Sequence, residues 1–150
     1  MSGMKFREIK ENKKQFLSLL LLADEQENMI DRYLEKGTMY VLDDNGVKAE
    51  CVVTDEGDGI LEIKNIATVP EYQGKGYAKA LIDFIVKEYA DKYSVLQVGT
   101  GDSPLTVPFY EKCGFVRSHI IPNFFTNNYD HPIFECGVKL TDMVIFQRNL

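Results

Sequence analysis

The sequence predicts one α/β or α+β domain, because short β-rich runs occur between segments whose apolar residues recur at helical spacing. Its 150 residues suffice for a single domain with a hydrophobic core. Apolar residues make up 45% of the chain and charged residues 27%, which is typical of a globular protein and too apolar for a disordered one. Because no repeat or linker rich in proline, glycine or serine divides the sequence, we predict one domain over residues 1–150.

The first part of the chain predicts a strand followed by two helices. Residues 5–9 form a short β-rich run. In residues 13–23, and again in residues 25–35, apolar side chains recur three and four positions apart, which is the spacing of one helix face. Gly37 is a typical helix stop, so we expect the second helix to end just before it.

The next three strands predict a β-meander. Residues 39–42 and 47–54 are apolar, β-rich runs separated by Asp-Asp-Asn-Gly at 43–46, a strong hairpin-turn signal. A second glycine-rich turn leads into a strand over residues 60–69. The apolar residues of that strand change face near Asn65, and one extra residue there, as in a β-bulge, would restore the alternation.

The second half of the chain predicts two further helices and three strands. Residues 77–90 have one broad apolar stripe and charges of alternating sign on another face, which indicates a helix packed on one side. Residues 95–98 form a short apolar strand, residues 104–113 a helix, and residues 115–121 and 143–148 the last two strands.

The predicted helix over residues 104–113 has clear end signals but an irregular interior. Ser103 is expected as its N-cap, with Pro104 at the first position and Gly114 as its stop. Pro108 lacks the N–H that would bond to the carbonyl of Pro104, so this helix should be bent or start late.

Charge and rare residues exclude several classes of function. With 17 Lys and Arg against 23 Asp and Glu, the net charge is −6, which argues against a nucleic-acid partner. The longest apolar run, residues 16–23, is too short to span a membrane, and no secretion signal is evident, so we expect a cytoplasmic protein without a membrane partner. Three widely spaced cysteines predict no disulfide framework, and the two histidines predict no metal site.

The segment most informative about function is the glycine turn at residues 70–78, between the strand over residues 60–69 and the helix that follows. Its glycines leave backbone N–H groups open, and the helix N-terminus adds partial positive charge, so the turn suits a phosphate or pyrophosphate. It is not a dinucleotide fingerprint, because Lys79 occupies the place of the third glycine, and it lacks the spacing of a nucleotide phosphate-binding loop.

Two motifs, in this order, resemble the GNAT superfamily of N-acetyltransferases. Gln73, Gly76 and Ala78 match the acetyl-CoA signature Q/R-x-x-G-x-G/A, and the strand at 66–70 is similar to the family's fourth strand. Residues 104–115, which end in Phe-Tyr-Glu-Lys-Cys-Gly-Phe, resemble the family's later motif, a tyrosine followed by glycine and phenylalanine. The resemblance, to small bacterial single-domain members, implies the GNAT acyltransferase fold, a mixed, mainly antiparallel central sheet flanked by helices.

The resemblance implies acetyl-CoA as co-substrate and no metal. Backbone groups of the glycine turn would hold the pyrophosphate, the preceding strand would pair with the pantetheine arm, and Lys75 would add a charge near the phosphates. Asp102 stands in the neighbourhood where the family often has an asparagine that contacts this arm. The expected cofactor-binding residues are Ile66, Ala67, Thr68, Val69, Gln73, Gly74, Lys75, Gly76, Tyr77, Ala78, Asp102 and Tyr110.

Amine acetylation requires proton transfers that particular side chains could perform. A primary alkylammonium has a pKa of about 10.4, so a general base must remove a proton before or during attack. Glu62, on the polar face of its strand, is the first candidate, and Asp130 and Glu135 are weaker ones. The resemblance assigns Tyr110 as the acid that reprotonates the departing thiolate. Cys113 is interpreted as a packed core thiol, so we predict direct transfer in a ternary complex.

Together these observations predict an N-acetyltransferase acting on a primary amine of a small molecule, for which the acidic charge balance favours a cationic acceptor. The alternative is a module that binds acyl-CoA as a sensor or interaction partner, with little catalysis. The aromatic-rich segment 122–139 could wall the acceptor pocket, contact a second copy or form a small satellite core. A homodimer is expected only by analogy with other small members of the family.

Overall fold

The computed structural model describes residues 3–150, so Met1 and Ser2 of the predicted domain lie outside the described residues. The strands are β1 (Lys5–Ile9), β2 (Thr38–Asp43), β3 (Val47–Asp55), β4 (Ile60–Thr68), β5 (Val95–Gly101), β6 (Val116–Ile121), β7 (Phe134–Glu135), β8 (Val138–Lys139) and β9 (Met143–Asn149). The α-helices are α1 (Leu17–Ala23), α2 (Glu27–Ile30), α3 (Tyr77–Tyr89), α4 (Val107–Lys112) and α5 (Phe124–Asn128), and short 3₁₀ segments cover Lys13–Phe16 and Pro70–Tyr72.

A seven-stranded sheet in the order β1-β2-β3-β4-β5-β9-β6 forms the centre of the molecule. Strands β4 and β5 are parallel, joined by α3 as a crossover, and the other neighbouring strands are antiparallel. The predicted mixed, mainly antiparallel sheet flanked by helices is therefore confirmed. Strands β7 and β8 form a separate hairpin.

Strand β4 contains the β-bulge that the sequence predicts near Asn65. Val52 of β3 pairs with Asn65, but the next residue, Val53, pairs with Ile63, so Lys64 is the extra residue. Because the bulge shifts the alternation by one residue, Ile63 and Ile66 both pack on the α3 side of the sheet. Asn65 is left buried on the other side, where its amide contacts α1.

The two faces of the sheet have separate hydrophobic cores. On one face, Leu81, Ile82 and Ile85 of α3 pack with strand residues such as Leu42 and Phe146. On the other face, the α1 and α2 region packs against the strands through residues that include Leu20, Ile30, Leu34, Met39, Val41 and Val52. Both layers hold the strand that precedes the glycine turn in a fixed position.

Strands β4 and β5 pair over only part of their length. Their register runs from Ile60–Val95 to Ile63–Val98. Beyond this point β4 continues to Thr68 and β5 to Gly101, where β5 stays paired with β9 on its other side. The bulge in β4 thus coincides with the point at which the two parallel strands separate, and a gap opens between their carboxyl ends.

The predicted helix over residues 25–35 is wrong in its extent, because α2 ends at Ile30 and turns follow. The buried ammonium of Lys13 donates to the carbonyls of Leu34 (2.8 Å), Glu35 (3.3 Å) and Gly37 (2.7 Å). A side chain from a distant segment therefore satisfies carbonyls that a regular helix end leaves free. Sequence periodicity detects the apolar face but not this long-range partner.

Replacing Lys13 with methionine is expected to lower the free energy of unfolding by about 2–3 kcal/mol, because buried carbonyls lose a charged donor. Lys14→Met is the matched control, since Lys14 is exposed and its ion pairs within residues 3–150, with Glu27 and Asp31, lie at the surface. Urea unfolding of both variants measures the difference. Equal losses in the two variants would show that the buried contacts of Lys13 contribute little.

The C-terminal elements differ from the expected ones in three ways. Helix α4 starts at Val107, three residues later than expected, which agrees with the effect anticipated from Pro108. Ser103 does not cap it: the Ser103 hydroxyl oxygen accepts from the Leu105 N–H, and the N-cap position is Thr106. Residues 122–142, for which no helix or strand was predicted, contain α5, β7 and β8. No helix within residues 3–150 is long and apolar enough to cross a membrane.

Candidate active site

A cleft of about 1110 Å³ follows the gap between β4 and β5. Its walls come from these two strands, the start of α3, the helix α4 and the segment around α5, β7 and the loop before β9. The opposite side is lined by residues between Leu21 and Tyr33, from the end of α1 to the turns after α2, which we call the α1–α2 corner. The cleft therefore connects the glycine turn at one end with a polar and aromatic region at the other.

The glycine turn has the geometry of an anion site. Gly74 and Gly76 have φ values of 79° and 86°, in the left-handed region that glycine adopts without strain. A Cβ added at either glycine would meet nothing within 4 Å, so the backbone is open to a ligand. Gly76 is the N-cap of the 13-residue α3, and no side chain caps the helix, so the N–H groups of Tyr77 and Ala78 are available.

Side chains around the turn add support and positive charge. The Gln73 amide donates to the Thr68 carbonyl at 3.3 Å and ties the turn to β4. The Lys75 ammonium lies 5.6 Å from the centre of the Tyr72 ring, and Lys48 lies 4.2 Å from the same ring. Lys75 was expected here from the sequence and Lys48, on the strand β3, was not; neither lysine lines the cleft.

Backbone alternation shows which groups of β4 face the gap. The Val69 N–H donates to the Lys48 carbonyl at 2.8 Å, so Val69 points toward β3. Because successive strand residues direct their N–H and C=O groups to opposite sides, those of Thr68 and Ile66 point toward β5. Ile66, Ala67 and Thr68 line the cleft, but Val69 does not.

Asp102 lies apart from the cleft. Its exposed carboxylate accepts from Arg117 at 3.1 Å, and the neighbouring Gly101 lines the cleft in its place. A Cβ at Gly101 would come within 2.6 Å of Leu140, so close packing leaves no room for a side chain there. The contact expected of Asp102 with the pantetheine arm stays a prediction.

Glu62 lies on the cleft-facing side of β4 and has two polar partners, Lys64 on the same strand and Gln97 on β5. Its carboxylate is 2.6 Å from the Lys64 ammonium and accepts a hydrogen bond from the Gln97 amide. Gln97 in turn accepts from Gln147 at 2.9 Å, which forms a polar row across three strands. These contacts orient the carboxylate toward the cleft, where Glu62, Lys64 and Gln97 all form part of the lining.

Tyr110 combines a buried ring with a hydroxyl that has no hydrogen-bond partner among the described residues. Its ring packs 5.8 Å from that of Phe115 and 6.3 Å from that of Phe146. Burial raises the pKa of Tyr110 well above its ordinary value, so the phenol keeps its proton at neutral pH. Because Tyr110 also lines the cleft, its hydroxyl can donate to a bound ligand.

The weaker candidates occupy different places. Glu135 lines the cleft and accepts a hydrogen bond from the Ser103 hydroxyl. Asp130 is exposed and pairs with His131 instead. Cys113 is buried in the core beside Tyr110, and burial raises the pKa of its thiol, which favours the packed, protonated form.

The aromatic segment forms a small satellite core and also contributes to the lining of the cleft. Phe125, Ile133 and Leu140 form a small satellite core. Phe124 and Tyr129, which pack against this core, also line the cleft. The same residues therefore build a small core and wall the end of the cleft remote from the glycine turn.

A set of polar contacts holds this segment to the α1–α2 corner. His131 bridges Asp130 and Glu25, with 2.8 Å between its Nε2 atom and the Glu25 carboxylate. Arg32 donates to Asn128 at 3.0 Å. Since residues on both sides line the cleft, these contacts lie at its end remote from the glycine turn.

The contacts of His131 should weaken as the pH rises. Hydrogen bonds to Asp130 and then to Glu25 raise the pKa of His131 above 6.5. Its stabilising contribution is therefore complete below about 6.5 and disappears as the pH rises through the raised value. Hydrogen exchange in residues 123–131, corrected for intrinsic rates, should accelerate between pH 6 and pH 9.

The variant His131→Asn should remove this pH dependence, whereas His119→Asn should keep it. His119 is the other histidine, and within the described part of the chain its ring forms a hydrogen bond with the Ser118 hydroxyl alone. If His131→Asn exchanges with the same pH profile as the natural protein, His131 does not hold the segment.

Comparisons with known proteins agree on one family. The model of the acetyltransferase (GNAT) domain matches residues 35–117. The uncharacterized N-acetyltransferase YvbK of Bacillus subtilis is 35% identical over 137 residues, covering 89% of this chain and 88% of that protein. A GNAT family acetyltransferase from Elizabethkingia anophelis, crystallised with acetyl-CoA bound, superposes with a TM-score of 0.93 at 31% identity over 100% of both chains. The spermidine N(1)-acetyltransferase of Vibrio cholerae is 36% identical over 69 residues, or 41% of this chain and 38% of that protein.

Proposed function

The chain belongs to the GNAT acetyltransferase family, and from that premise we propose that it transfers the acetyl group of acetyl-CoA to a primary amine of a small cationic acceptor. Transfer is direct, within a ternary complex. The observation that carries the proposal is the cleft itself, which runs from the uncapped start of α3, through the gap between β4 and β5, to Glu62 and Tyr110.

The residues of the cleft fit acetyl-CoA. The glycine turn offers unobstructed N–H groups for the pyrophosphate, and the backbone groups of Ile66 and Thr68 can pair with the amide-rich pantetheine arm. Lys75 and Lys48 supply positive charge near the phosphates of an anionic ligand. The structural relative crystallised with acetyl-CoA supports this assignment.

The acceptor amine must lose a proton, and Glu62 is the base proposed to take it. When bound, acetyl-CoA supplies the acetyl group as a thioester. An alkylammonium with a pKa of about 10.4 is almost fully protonated at neutral pH, so a carboxylate within reach, directly or through one water, accelerates attack. Lys64 and Gln97 fix the orientation of the Glu62 carboxylate for this step.

Tyr110 is proposed to donate its hydroxyl hydrogen to the departing sulfur. The raised pKa keeps the phenol protonated over the working pH range, and no protein group competes for that hydrogen among residues 3–150. Cys113 stays outside the reaction, because a buried, protonated thiol is a poor nucleophile.

The acceptor end of the cleft favours a cation over an anion. Glu62 and Glu135 line it together with the aromatic rings of Phe124 and Tyr129. Carboxylates attract an ammonium group, and aromatic faces stabilise it further. The shorter match with a spermidine acetyltransferase also supports a cationic amine.

Thiol release tests the proposal. The protein is mixed with acetyl-CoA and a panel of alkylamines, polyamines, aminoglycosides, amino acids and peptides, and free CoA is measured with a thiol reagent. We expect release that depends on an amine and is strongest with cationic acceptors. If acetyl-CoA binds but no amine stimulates release, the chain is instead an acyl-CoA sensor or interaction module.

A further inference from the structure

Three large apolar side chains stay exposed on the walls of the cleft. Leu22 on α1 is 52% exposed, Ile121 at the end of β6 is 40% exposed, Phe134 on β7 is 60% exposed, and all three line the cleft. Apolar residues scattered singly over a surface are ordinary, but apolar residues that converge on one cavity from separate segments indicate a surface for a ligand. We call these three residues the apolar rim.

The apolar rim lies at the end of the cleft remote from the glycine turn. Ile121 pairs with Met143 of β9, and Met143 packs against the satellite core. Phe134 directly follows a member of that core. Leu22 belongs to the α1–α2 corner, to which the Tyr129 hydroxyl donates a hydrogen bond of 2.7 Å. The rim therefore borders the same end of the cleft that the aromatic segment walls.

The charged side chains of this end are engaged with other parts of the protein. Glu25 pairs with a histidine at 2.8 Å, Arg32 donates to an asparagine at 3.0 Å, and Glu135 accepts from a serine hydroxyl. Both carboxylate oxygens of Asp24 accept from tyrosine hydroxyls. These side chains hold the walls of the cleft together, whereas the apolar rim stays open to a ligand.

The rim belongs to the same cleft as Glu62 and Tyr110, where the amine is proposed to react. Since the pantetheine arm takes the gap between β4 and β5, the rest of the acceptor extends toward the remote end. An apolar group placed there leaves water for an apolar surface, which is favourable in proportion to the area buried. A second ammonium group would lose hydration without gaining a free carboxylate.

We propose that the apolar rim binds an apolar body, aryl or branched alkyl, that the acceptor carries behind its primary amine. This inference rests on the proposed function and narrows it to amphiphilic monoamines, whose single cationic nitrogen reacts at Glu62. The rim residues determine specificity. Because they hold the apolar body equally in the ground state and in the transition state, they act on KM and not on kcat.

Thiol release with 2-phenylethylamine, ethylamine and 1,4-diaminobutane tests the subsite. The first two amines differ only by the phenyl ring, so the ratio of their kcat/KM values isolates its contribution. We expect a ratio of about ten or more, chiefly through a lower KM for 2-phenylethylamine, and a lower kcat/KM for the diamine than for 2-phenylethylamine. Phe134→Ala should lower the ratio by about fivefold and Ile121→Ala by about threefold.

Ile120→Ala is the matched control for Ile121→Ala. Ile120 precedes Ile121 on β6 and is 52% exposed, but it does not line the cleft. The control therefore removes the same atoms from the same strand outside the cleft, and it should keep the ratio of the natural protein. Equal losses in the two variants, a ratio near one in the natural protein, or a preference for the diamine would overturn the subsite.

Calorimetric titration of each amine into the protein saturated with CoA separates this inference from the proposed function, because no acetyl group is present and binding alone is measured. The natural protein should bind 2-phenylethylamine about tenfold more tightly than ethylamine, and Phe134→Ala should remove most of this preference. If the preference is present but no amine stimulates thiol release, the proposed function fails while the subsite stands. If the preference is absent, or if Phe134→Ala changes the molar mass in light scattering and leaves the preference intact, the rim serves another contact, such as one with a second copy, and the subsite is overturned.

Discussion

Glu62→Gln is expected to lower kcat/KM for the acceptor amine by about a hundredfold at pH 7, because general-base catalysis contributes on that order. The deficit should shrink as the pH rises, since the free-amine fraction of an alkylamine grows about tenfold per pH unit below its pKa of about 10.4. Steady-state thiol release between pH 7 and pH 9 measures both effects. Affinity for acetyl-CoA should change little.

Glu56→Gln is the control for this variant. Glu56 also contacts Lys64, at 3.9 Å, so the control removes the same charge near the same lysine without touching the proposed base. A pH-independent loss in Glu62→Gln, matched by Glu56→Gln, would mean that Glu62 acts only through the local electrostatic field.

Tyr110→Phe is expected to lower kcat by at least about tenfold while the dissociation constant for acetyl-CoA stays within about twofold. The ring remains, so packing against Phe115 and Phe146 persists, and the lost hydroxyl has no protein partner among the described residues. The effect should therefore appear in turnover and not in folding. Single-turnover acetylation with saturating acetyl-CoA is the measurement.

Tyr93→Phe provides the comparison for Tyr110→Phe. Tyr93 packs against Tyr89 at the end of α3, with ring centroids 5.7 Å apart, and lies outside the cleft lining. It should keep full turnover. If Tyr110→Phe keeps it as well on a verified acceptor, Tyr110 has no part in the proton transfer.

Local sequence patterns predicted most of the elements of the fold. The change of face near Asn65 predicted the bulge. Side chains of a strand alternate between the two faces of a sheet, and here each face is buried in a core, so one extra residue is needed to keep the apolar side chains buried. Helix α3 and the hairpin at residues 43–46 follow from apolar spacing and turn chemistry alone. These features depend on neighbours within a few residues.

Features that depend on distant residues were not predictable in this way. After α2 the chain continues in turns, and Lys13 donates to the carbonyls of Leu34 and Gly37 in this stretch from more than twenty residues away. The short elements α5, β7 and β8 have too few residues for a period to be recognised. Ser103 has the sequence context of an N-cap, yet its hydroxyl hydrogen goes to Glu135.

In the candidate site, too, features within one contiguous motif were predictable and features that depend on distant residues were not. The glycine turn is a contiguous motif and was found from its spacing, and Tyr110 was found from the motif that contains it. Gln97 becomes a visible partner of Glu62 only when β4 and β5 pair, and Val69 is turned away from the gap by the strand alternation. A sequence motif therefore locates backbone groups that can bind a ligand, but it does not reveal which side chains on neighbouring strands contact each other.

A crystal structure with CoA bound tests the central claim most directly. We expect the pyrophosphate to bind the N–H groups of residues 73–78 and the pantetheine arm to lie between β4 and β5. The sulfur should lie within hydrogen-bond reach of the Tyr110 hydroxyl, about 3.2 Å or one bridging water. CoA bound outside the gap, or with its sulfur beyond reach of both Tyr110 and a water held by Glu62, would contradict the proposed active site.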